Sequence, residues 1–296
     1  MITLRGMLVC TALGCGQFLV YSTAPGGELK ELFYQNFQSP NFPPSTVLGI
    51  ANGEGEQKIV RRESSGVRIL VSGKPSGFPP FGVAPRFRIS GDFEITASYE
   101  LLKLDKPASG YGVSVSLWAM TDTPSVDAAT VSRAHRPWDG NVWVADKGWW
   151  DVSEKKYNHD GQASPTQSKA GKLRLVRMGP VMHYLVADGD SDEFRELRQV
   201  SFNEEDISQI FVGVDTGGSH GPVEVLLKDL RIHAEELPMG ASKRQTSRAW
   251  IIWLAMGIFG TAGVAVSVLF LWKSAQARRT AHKLAEPVSR LRKPKA

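Results

Sequence analysis

Aromatic side chains are concentrated in one short stretch of the chain, from Trp138 to His159. Four of the eight tryptophans and one tyrosine lie in it: Trp138, Trp143, Trp149, Trp150 and Tyr157. Sugars present flat C–H faces that pack on aromatic rings, and polar neighbours such as Asp139, Asn141 and Asp151 bind the hydroxyls. These residues therefore predict a binding surface for a glycan.

The same tryptophans also suit a structural role. Trp143 falls inside the predicted strand Asn141–Ala145, where it would pack in a core, and Trp149 and Trp150 would then cover the edge of the sheet. Adjacent exposed indoles mark an interaction site, whereas buried ones stabilise the core. Both alternatives stay open at this point, because exposure cannot be read from the sequence.

Paired carboxylates are the second chemistry to consider. A retaining glycosidase needs two carboxylates about 5 Å apart. The sequence contains no compact strand of the form ExDxE or ExDxxE, and Asp92 and Glu94 lie on the polar face of their strand, opposite Phe93 and Ile95. We therefore assign no catalytic residue. An enzyme that acts on polysaccharide remains the alternative to a binding module.

The sequence also contains no convincing motif for a metal or a cofactor. Asp188, Asp190 and Asp192 have the alternate spacing of a calcium loop. However, Glu193 stands in the place of the turning glycine, and Gln199 in the place of the closing carboxylate. This run predicts a solvated hairpin loop, and we expect neither a metal nor a cofactor.

The middle of the chain carries the alternation of apolar and polar residues that is typical of half-buried strands. It is clearest in Gly91–Leu101 and in Tyr111–Met120, which a turn at Pro107–Gly110 joins, so we predict that these two strands pair as antiparallel neighbours. Further strands are predicted at Val67–Val71, Ala129–Arg133, Asn141–Ala145, Lys172–Arg177, Val181–Ala187, Gln209–Val214 and Val223–His233.

Many short strands without intervening helices indicate two antiparallel sheets that pack face to face, and a barrel is the less favoured closure. Both cysteines, Cys10 and Cys15, precede this region, so no disulfide framework stabilises it. Residues 25–240 are enough to bury roughly 70% of the surface that the unfolded chain exposes. We therefore predict an all-β, two-sheet jelly-roll sandwich.

An uncharged apolar segment, Ala249–Trp272, predicts one C-terminal transmembrane helix. At ~1.5 Å per residue this segment spans the ~30 Å hydrocarbon layer of a bilayer. Tryptophans mark both of its ends, and the tail 273–296 that follows is rich in lysine and arginine. The excess of basic residues places the tail in the cytoplasm and the sandwich domain outside it. The expected localisation is the cell membrane, in a single pass.

Two further segments and two further partners follow from the same topology. Residues 1–24 are a signal peptide or an N-terminal anchor, and residues 241–248 are a linker. Gly263 and Ser267 are four residues apart in the membrane helix, which allows close approach of a second helix. The basic residues are concentrated in the tail, which contacts the bilayer, so no nucleic-acid partner is expected.

The sequence resembles known sandwich proteins in several strands. The segments LRLVRMGPVMHYLVADG, IFVGVDTGG and VEVLLKDLRIHAEE resemble the concanavalin A-like lectin/glucanase fold group. Closer still, LFYQNF, GDFEITASYELL, GYGVSVSLWAM and ATVSRAHRPWDGNVWVADK resemble a planctomycete family of exported proteins (the domain of unknown function 1583 type). This resemblance implies a jelly-roll fold in an exported bacterial protein and no particular activity.

The leading hypothesis is a membrane-anchored extracytoplasmic module that binds a glycan or a neighbouring envelope protein. Its aromatic residues are the predicted contact surface. An enzyme acting on polysaccharide and a structural subunit of a membrane complex are the two alternatives, and fold alone does not decide between them.

Overall fold

The computed structural model describes residues 28–52, 59–72, 81–122, 126–219 and 221–238. All the regular secondary structure within these ranges is β-strand. Among the described residues, no helix that could span a bilayer is found. Outside the described residues lie the predicted segment 1–24, the linker 241–248, the membrane helix Ala249–Trp272 with Gly263 and Ser267, and the tail 273–296.

The described residues form fifteen strands. In chain order these are β1 (Glu31–Asn36), β2 (Leu48–Asn52), β3 (Val60–Glu63), β4 (Gly66–Val71), β5 (Phe81–Pro85), β6 (Ser90–Leu104), β7 (Val113–Thr121), β8 (Ala128–Arg136), β9 (Gly140–Asp151), β10 (Lys156–Pro165), β11 (Ala170–Met178), β12 (Val181–Asp188), β13 (Arg195–Ser201), β14 (Ile207–Asp215) and β15 (Val223–Glu236).

The strands assemble into two sheets. The eight-stranded sheet has the order β13-β12-β11-β6-β15-β4-β3, and β1 pairs with the part of β15 that β4 does not cover. The seven-stranded sheet has the order β10-β9-β8-β7-β14-β5-β2. All of these pairs are antiparallel. The predicted all-β, two-sheet antiparallel sandwich is confirmed.

The core lies between the inner faces of the two sheets. Alternate residues of each strand point inward, among them Phe93 and Ile95 on β6 and Val115 and Leu117 on β7, all of which are fully buried. Burying a large apolar side chain contributes about 1.5–3 kcal/mol relative to leaving it in water. This shared core fixes which face of every strand is left for other contacts.

All nine strands that the sequence predicts are present, but one predicted pairing is wrong. Gly91–Leu101 and Tyr111–Met120 correspond to β6 and β7, which belong to different sheets. β6 pairs with β11 and β15, and β7 pairs with β8 and β14. The connection between β6 and β7 crosses the sandwich because the apolar faces of both strands pack against each other in the core.

The outer face of the seven-stranded sheet also carries apolar residues. Two small clusters form there, separate from the core: one of Met120, Val126 and Ala128, and one of Ala134, Val142 and Val144. This outer face and the loops at its two ends carry most of the aromatic residues that the sequence singles out.

Candidate functional site

Strand β9 separates the five aromatic residues that the sequence groups together. Trp138 lies in the turn before β9, Trp143 near its middle, and Trp149 and Trp150 at its end, while Tyr157 lies on the neighbouring strand β10. At ~3.3 Å per residue, β9 alone is more than ~30 Å long. A single ligand-binding surface therefore does not include all five residues.

Trp143 belongs to the core. Its side chain is 0% exposed, and its ring meets the ring of Tyr99 edge-on, with 6.3 Å between the ring centres. A side chain without exposed surface cannot contact a glycan, so the assignment of Trp143 to the binding surface is corrected. The alternative that the sequence left open, a core residue within a strand, is what the structure shows.

Trp149 and Trp150 do not form a joint platform. Adjacent residues of a strand point to opposite faces of the sheet. Trp149 lies half-buried on the side of Trp143, with the Lys147 Nζ 5.7 Å from its ring centre. Trp150 is half-buried on the outer face, where it packs on the cluster that contains Met120.

Tyr157 lies on the same outer face, with two polar neighbours. Its ring occupies the space above Gly148, where a Cβ atom would lie 2.6 Å from the Cε1 of Tyr157. His159 meets this ring edge-on at 4.9 Å, and the Nδ1 of His159 is 2.9 Å from the Oδ2 of Asp146. Burial raises the pKa of Tyr157, and nearby carboxylates including Asp146 add to the shift. The phenol is therefore neutral at physiological pH.

The two most exposed aromatic side chains of the described residues lie at the other end of this sheet. Trp138 is 59% exposed, and Tyr111, in the connection between β6 and β7, is 73% exposed. Their loops touch, because a Cβ atom on Gly112 would lie 3.1 Å from the Cγ of Arg136. Arg136 forms an ion pair with Asp139 at 3.2 Å. We call Tyr111 and Trp138 the aromatic rim.

The sequence does not single out Tyr111, because the alternation predicts that it begins the strand Tyr111–Met120. The strand begins later, at Val113. Gly110 and Gly112 have φ angles of 79° and 112°, a region that favours glycine. The two flanking glycines were the available indication that Tyr111 lies in a loop.

Hydrogen bonds between loops hold the aromatic rim in position. The backbone N–H of Tyr111 donates to the carbonyl of Gly217 at 2.8 Å. The hydroxyl of Ser219 donates to the carbonyl of Ser109 at 2.7 Å and accepts from the N–H of Gly112 at 3.2 Å. The β6–β7 and β14–β15 connections are therefore joined at this end of the sandwich.

Arg133 fixes the hairpin that carries Trp138. This side chain is 2% exposed, and burial lowers its pKa. Its guanidinium donates to the carbonyl of Ser168 at 2.9 Å, to the carbonyl of Ala134 at 2.6 Å and to the Oδ1 of Asn141 at 2.9 Å. Loops held in this way lose little freedom when a ligand binds.

The three polar residues that the sequence predicts to bind sugar hydroxyls lie in different parts of the structure. Asp139 lies beside the aromatic rim, whereas the side-chain oxygen of Asn141 is engaged by Arg133. Asp151 lies at the far end of β9, where its Oδ1 accepts from the hydroxyl of Ser153 at 2.6 Å and stabilises the turn. Of the three, Asp139 is the one placed to contact a ligand at the rim.

Small polar residues occupy the middle of the outer face. Ser116 and Ser132 face each other across β7 and β8, and the hydroxyls of Ser114 and Ser116 are 2.9 Å apart. Next to them, the rings of Trp118 and Phe211 are 4.9 Å apart. Ser116 and Ser132 are almost fully buried. The accessible aromatic surface at this end is therefore the rim.

The described strands place two carboxylates on this outer face, Asp146 on β9 and Asp215 on β14. Asp146 faces Thr130, and Thr130 faces Trp118. Trp118 in turn faces Phe211, four residues before Asp215. At ~4.8 Å between strands and ~3.3 Å per residue, the two carboxylates are ~20 Å apart. A glycosidase pair needs about 5–9.5 Å, so these two do not form one.

No group of three or more His, Cys, Asp or Glu side chains in the described ranges could hold a metal ion. The acidic run that includes Asp188, Asp190 and Asp192 forms the connection between β12 and β13, and those strands pair with each other. The Nζ of Lys172 lies 2.6 Å from the Oδ1 of Asp192. The predicted hairpin loop is confirmed.

The sequence of this chain matches a known protein family. The family described as "Protein of unknown function (DUF1583) C domain" matches residues 19–250, which is more than half of the chain. No curated protein matches the sequence significantly.

Several solved structures are similar to this chain in fold. A putative β-glucanase from Mycobacterium abscessus is 13% identical, with 68% of this chain and 98% of that chain covered and a TM-score of 0.49. A pseudo β-1,3-glucanase of Mycobacterium tuberculosis is 9% identical over the same shares, also with a TM-score of 0.49. The β-glucanase of Bacillus licheniformis is 14% identical, with 71% and 99% covered and a TM-score of 0.46.

The contrast between the core tryptophan and the rim tryptophan is directly testable. We expect Trp143→Ala to lower the free energy of unfolding by about 3–5 kcal/mol, because it removes a fully buried ring. Trp138→Ala, at an exposed position, is expected to stay within about 0.5 kcal/mol of wild type. Urea unfolding measures both, and equal losses in the two variants would contradict the assignment.

Asp215 gives a prediction that depends on pH. Burial raises its pKa, so the folded state binds the proton more tightly than the unfolded state, and ionisation costs stability as pH rises above ~4. Asp215→Asn keeps an oxygen for the N–H of Gly217, which donates at 2.8 Å. We expect this variant to be more stable than wild type at about pH 7 and equal to it below about pH 3.

Asp160 is the control of opposite sign. The hydrogen bond from Arg198 lowers the pKa of Asp160, so its stabilising contribution is present at neutral pH and is lost as the carboxylate protonates in acid. Asp160→Asn is therefore expected to be less stable than wild type at about pH 7, by a small amount because the carboxylate is exposed. Thermal unfolding across this pH range measures both variants, and a loss of stability in Asp215→Asn at neutral pH would contradict the account.

Proposed function

We propose that this chain, which belongs to the DUF1583 family of proteins of unknown function, is a binding module whose aromatic rim contacts a glycan. The observation that carries the proposal is the pair of highly exposed rings, Tyr111 and Trp138, on neighbouring loops at one end of the seven-stranded sheet. Exposed apolar surface that is bordered by polar residues is typical of interaction sites.

The chemistry of the rim suits a sugar. The rings offer flat apolar surfaces for the C–H faces of a pyranose. The Arg136–Asp139 ion pair beside Trp138 supplies both a donor and an acceptor for neighbouring hydroxyls. Because the surrounding loops are already joined by hydrogen bonds, most of the interaction energy is available for affinity rather than for ordering the site.

Binding is favoured over hydrolysis for a specific reason. A glycosidase requires two carboxylates beside the scissile bond. The described strands place Asp146 and Asp215 too far apart on the outer face for this role. This pair therefore gives no support to the alternative that the sequence kept open, an enzyme acting on polysaccharide.

The glycan proposal can be tested with the full chain in mild detergent and a panel of bacterial envelope glycans. We expect Trp138→Ala to weaken binding at least about tenfold, which corresponds to about 1.4 kcal/mol. Tyr34→Ala is the matched control, because Tyr34 is also an exposed aromatic residue, 49% exposed on β1 of the other sheet. Isothermal titration calorimetry measures both variants.

Two results would contradict the glycan proposal. One is equal loss of binding in Trp138→Ala and Tyr34→Ala, which would mean that no specific rim contact exists. The other is that wild type binds no glycan on the panel while an envelope protein binds in a way that depends on Trp138, which would make the rim a protein-binding surface.

We also propose that the sandwich is tethered outside the cytoplasm. The support comes from the sequence: the apolar segment Ala249–Trp272, the basic tail 273–296, and the resemblance to exported planctomycete proteins. We expect the full chain to resist alkaline extraction from membranes and its sandwich to be digested by protease added to spheroplasts. Protection of the sandwich in intact spheroplasts would contradict this topology.

A further inference from the structure

Edge strands expose unpaired backbone groups, and proteins usually protect them by making them short, charged or bulged. The ends of the two sheets are β10 and β2 in one, and β13 and β3 in the other. β2 and β3 have five and four residues, and the pairing of β13 with β12 contains a bulge between Tyr184 and Leu185. The six-residue strand β1, for which the described residues give a pairing with β15 alone, is a further edge. β10, with ten residues, is the longest of these edges.

Among the described residues, β10 lacks the usual protection. Its pairing with β9 runs over all ten residues without a register shift. Its two charged residues are already neutralised within the chain, Lys156 by Glu154 and Asp160 by Arg198 at 2.8 Å. The single proline, Pro165, is the last residue of the strand. The edge is therefore long, regular and without net charge.

The backbone groups available on this edge can be identified. The N–H of Thr166 donates to the carbonyl of Asn141, so Thr166 faces β9. In an antiparallel pair, hydrogen-bonding residues alternate along the strand. Pro165, which has no N–H, thus falls on the outward side, where its missing donor breaks no bond to β9. The same alternation turns outward the backbone groups of Tyr157, His159, Gly161 and Ala163.

We propose that this edge pairs with the same edge of a second copy of the chain, antiparallel, about a two-fold axis at Gly161. With this axis, the segments from Tyr157 to Pro165 of the two copies lie side by side. The facing pairs are Gly161 with Gly161, Asp160 with Gln162, His159 with Ala163, Asn158 with Ser164, and Tyr157 with Pro165.

The self-complementarity of this register is what selects a second copy as the partner. No pair places like charges opposite each other, which would be unfavourable. An axis moved to Asp160 would set two carboxylates against each other. At the proposed axis, Gly161 has no side chain, so two backbones can approach closely there.

The pairing joins the two seven-stranded sheets into one, with an aromatic rim on each copy. A glycan with repeated units would then be bound at two points, but the interface itself does not depend on glycan binding. Edge pairing buries little surface, so a weak dimer is expected, with a dissociation constant of ~10–100 µM.

The test uses Ala163, whose N–H points outward. Ala163→Pro removes this donor from the dimer edge without removing a hydrogen bond to β9, and Ala163→Ser is the matched control that keeps the N–H. We expect sedimentation velocity of the full chain in detergent to show a concentration-dependent dimer in wild type and Ala163→Ser, and a monomer in Ala163→Pro. Equal thermal stability of the two variants shows that the fold is retained.

Hydrogen exchange gives an independent readout. The amides of His159, Gly161 and Ala163 are expected to be protected at high protein concentration and to exchange fast at low concentration. A monomer at all concentrations with fast exchange of these amides would overturn the proposal. A dimer that persists in Ala163→Pro would also overturn the proposal. Such a dimer would form through another contact, for example between membrane helices through Gly263 and Ser267.

Discussion

The packing of two sheets through alternate side chains is the constraint on which the rest of this structure depends. A strand that gives every second residue to the shared core has no freedom in where the others point, and a slip of one residue would exchange the two sets. On β9 this constraint buries Trp143 and turns Trp150 to the outer face. The accessible aromatic surface is consequently found where the constraint ends, in the loops that carry Tyr111 and Trp138.

Those loops are not loose, because the sandwich also orders its ends. Arg133 is a buried cation without a carboxylate partner among its hydrogen bonds, and each of its three nitrogens donates one, to two carbonyls and to the side chain of Asn141. Burying such a group is costly unless it is fully hydrogen-bonded. The hydrogen bonds of Arg133 join the hairpin of Trp138 to the loop that contains Ser168, and this is the structural role of the buried cation.

Much of the fold could be predicted from the sequence, since the strands with one buried face carry a clear period of two. Six strands were not predicted: β1, β2, β3, β5, β10 and β13. β1, β2, β3 and β5 have only four to six residues each, too few for a clear alternation. β10 and β13 are edge strands with little apolar surface on either face. The pairing of β6 with β7 was wrong because alternation shows which residues are buried and not which sheet they face. The five aromatic residues were grouped as one candidate surface because they are close in sequence, although alternation along β9 already separates Trp149 from Trp150.

The central claim, that Trp138 at the aromatic rim contacts a glycan, is tested most directly by ¹⁹F NMR of the full chain labelled with 5-fluorotryptophan, with the Trp138 resonance assigned from Trp138→Phe. On addition of a glycan that binds, the account predicts a shift of the Trp138 resonance while that of the buried Trp143 stays in place. A shift confined to Trp150 or Trp118, with Trp138 unchanged, would contradict it and would locate the ligand elsewhere on the outer face.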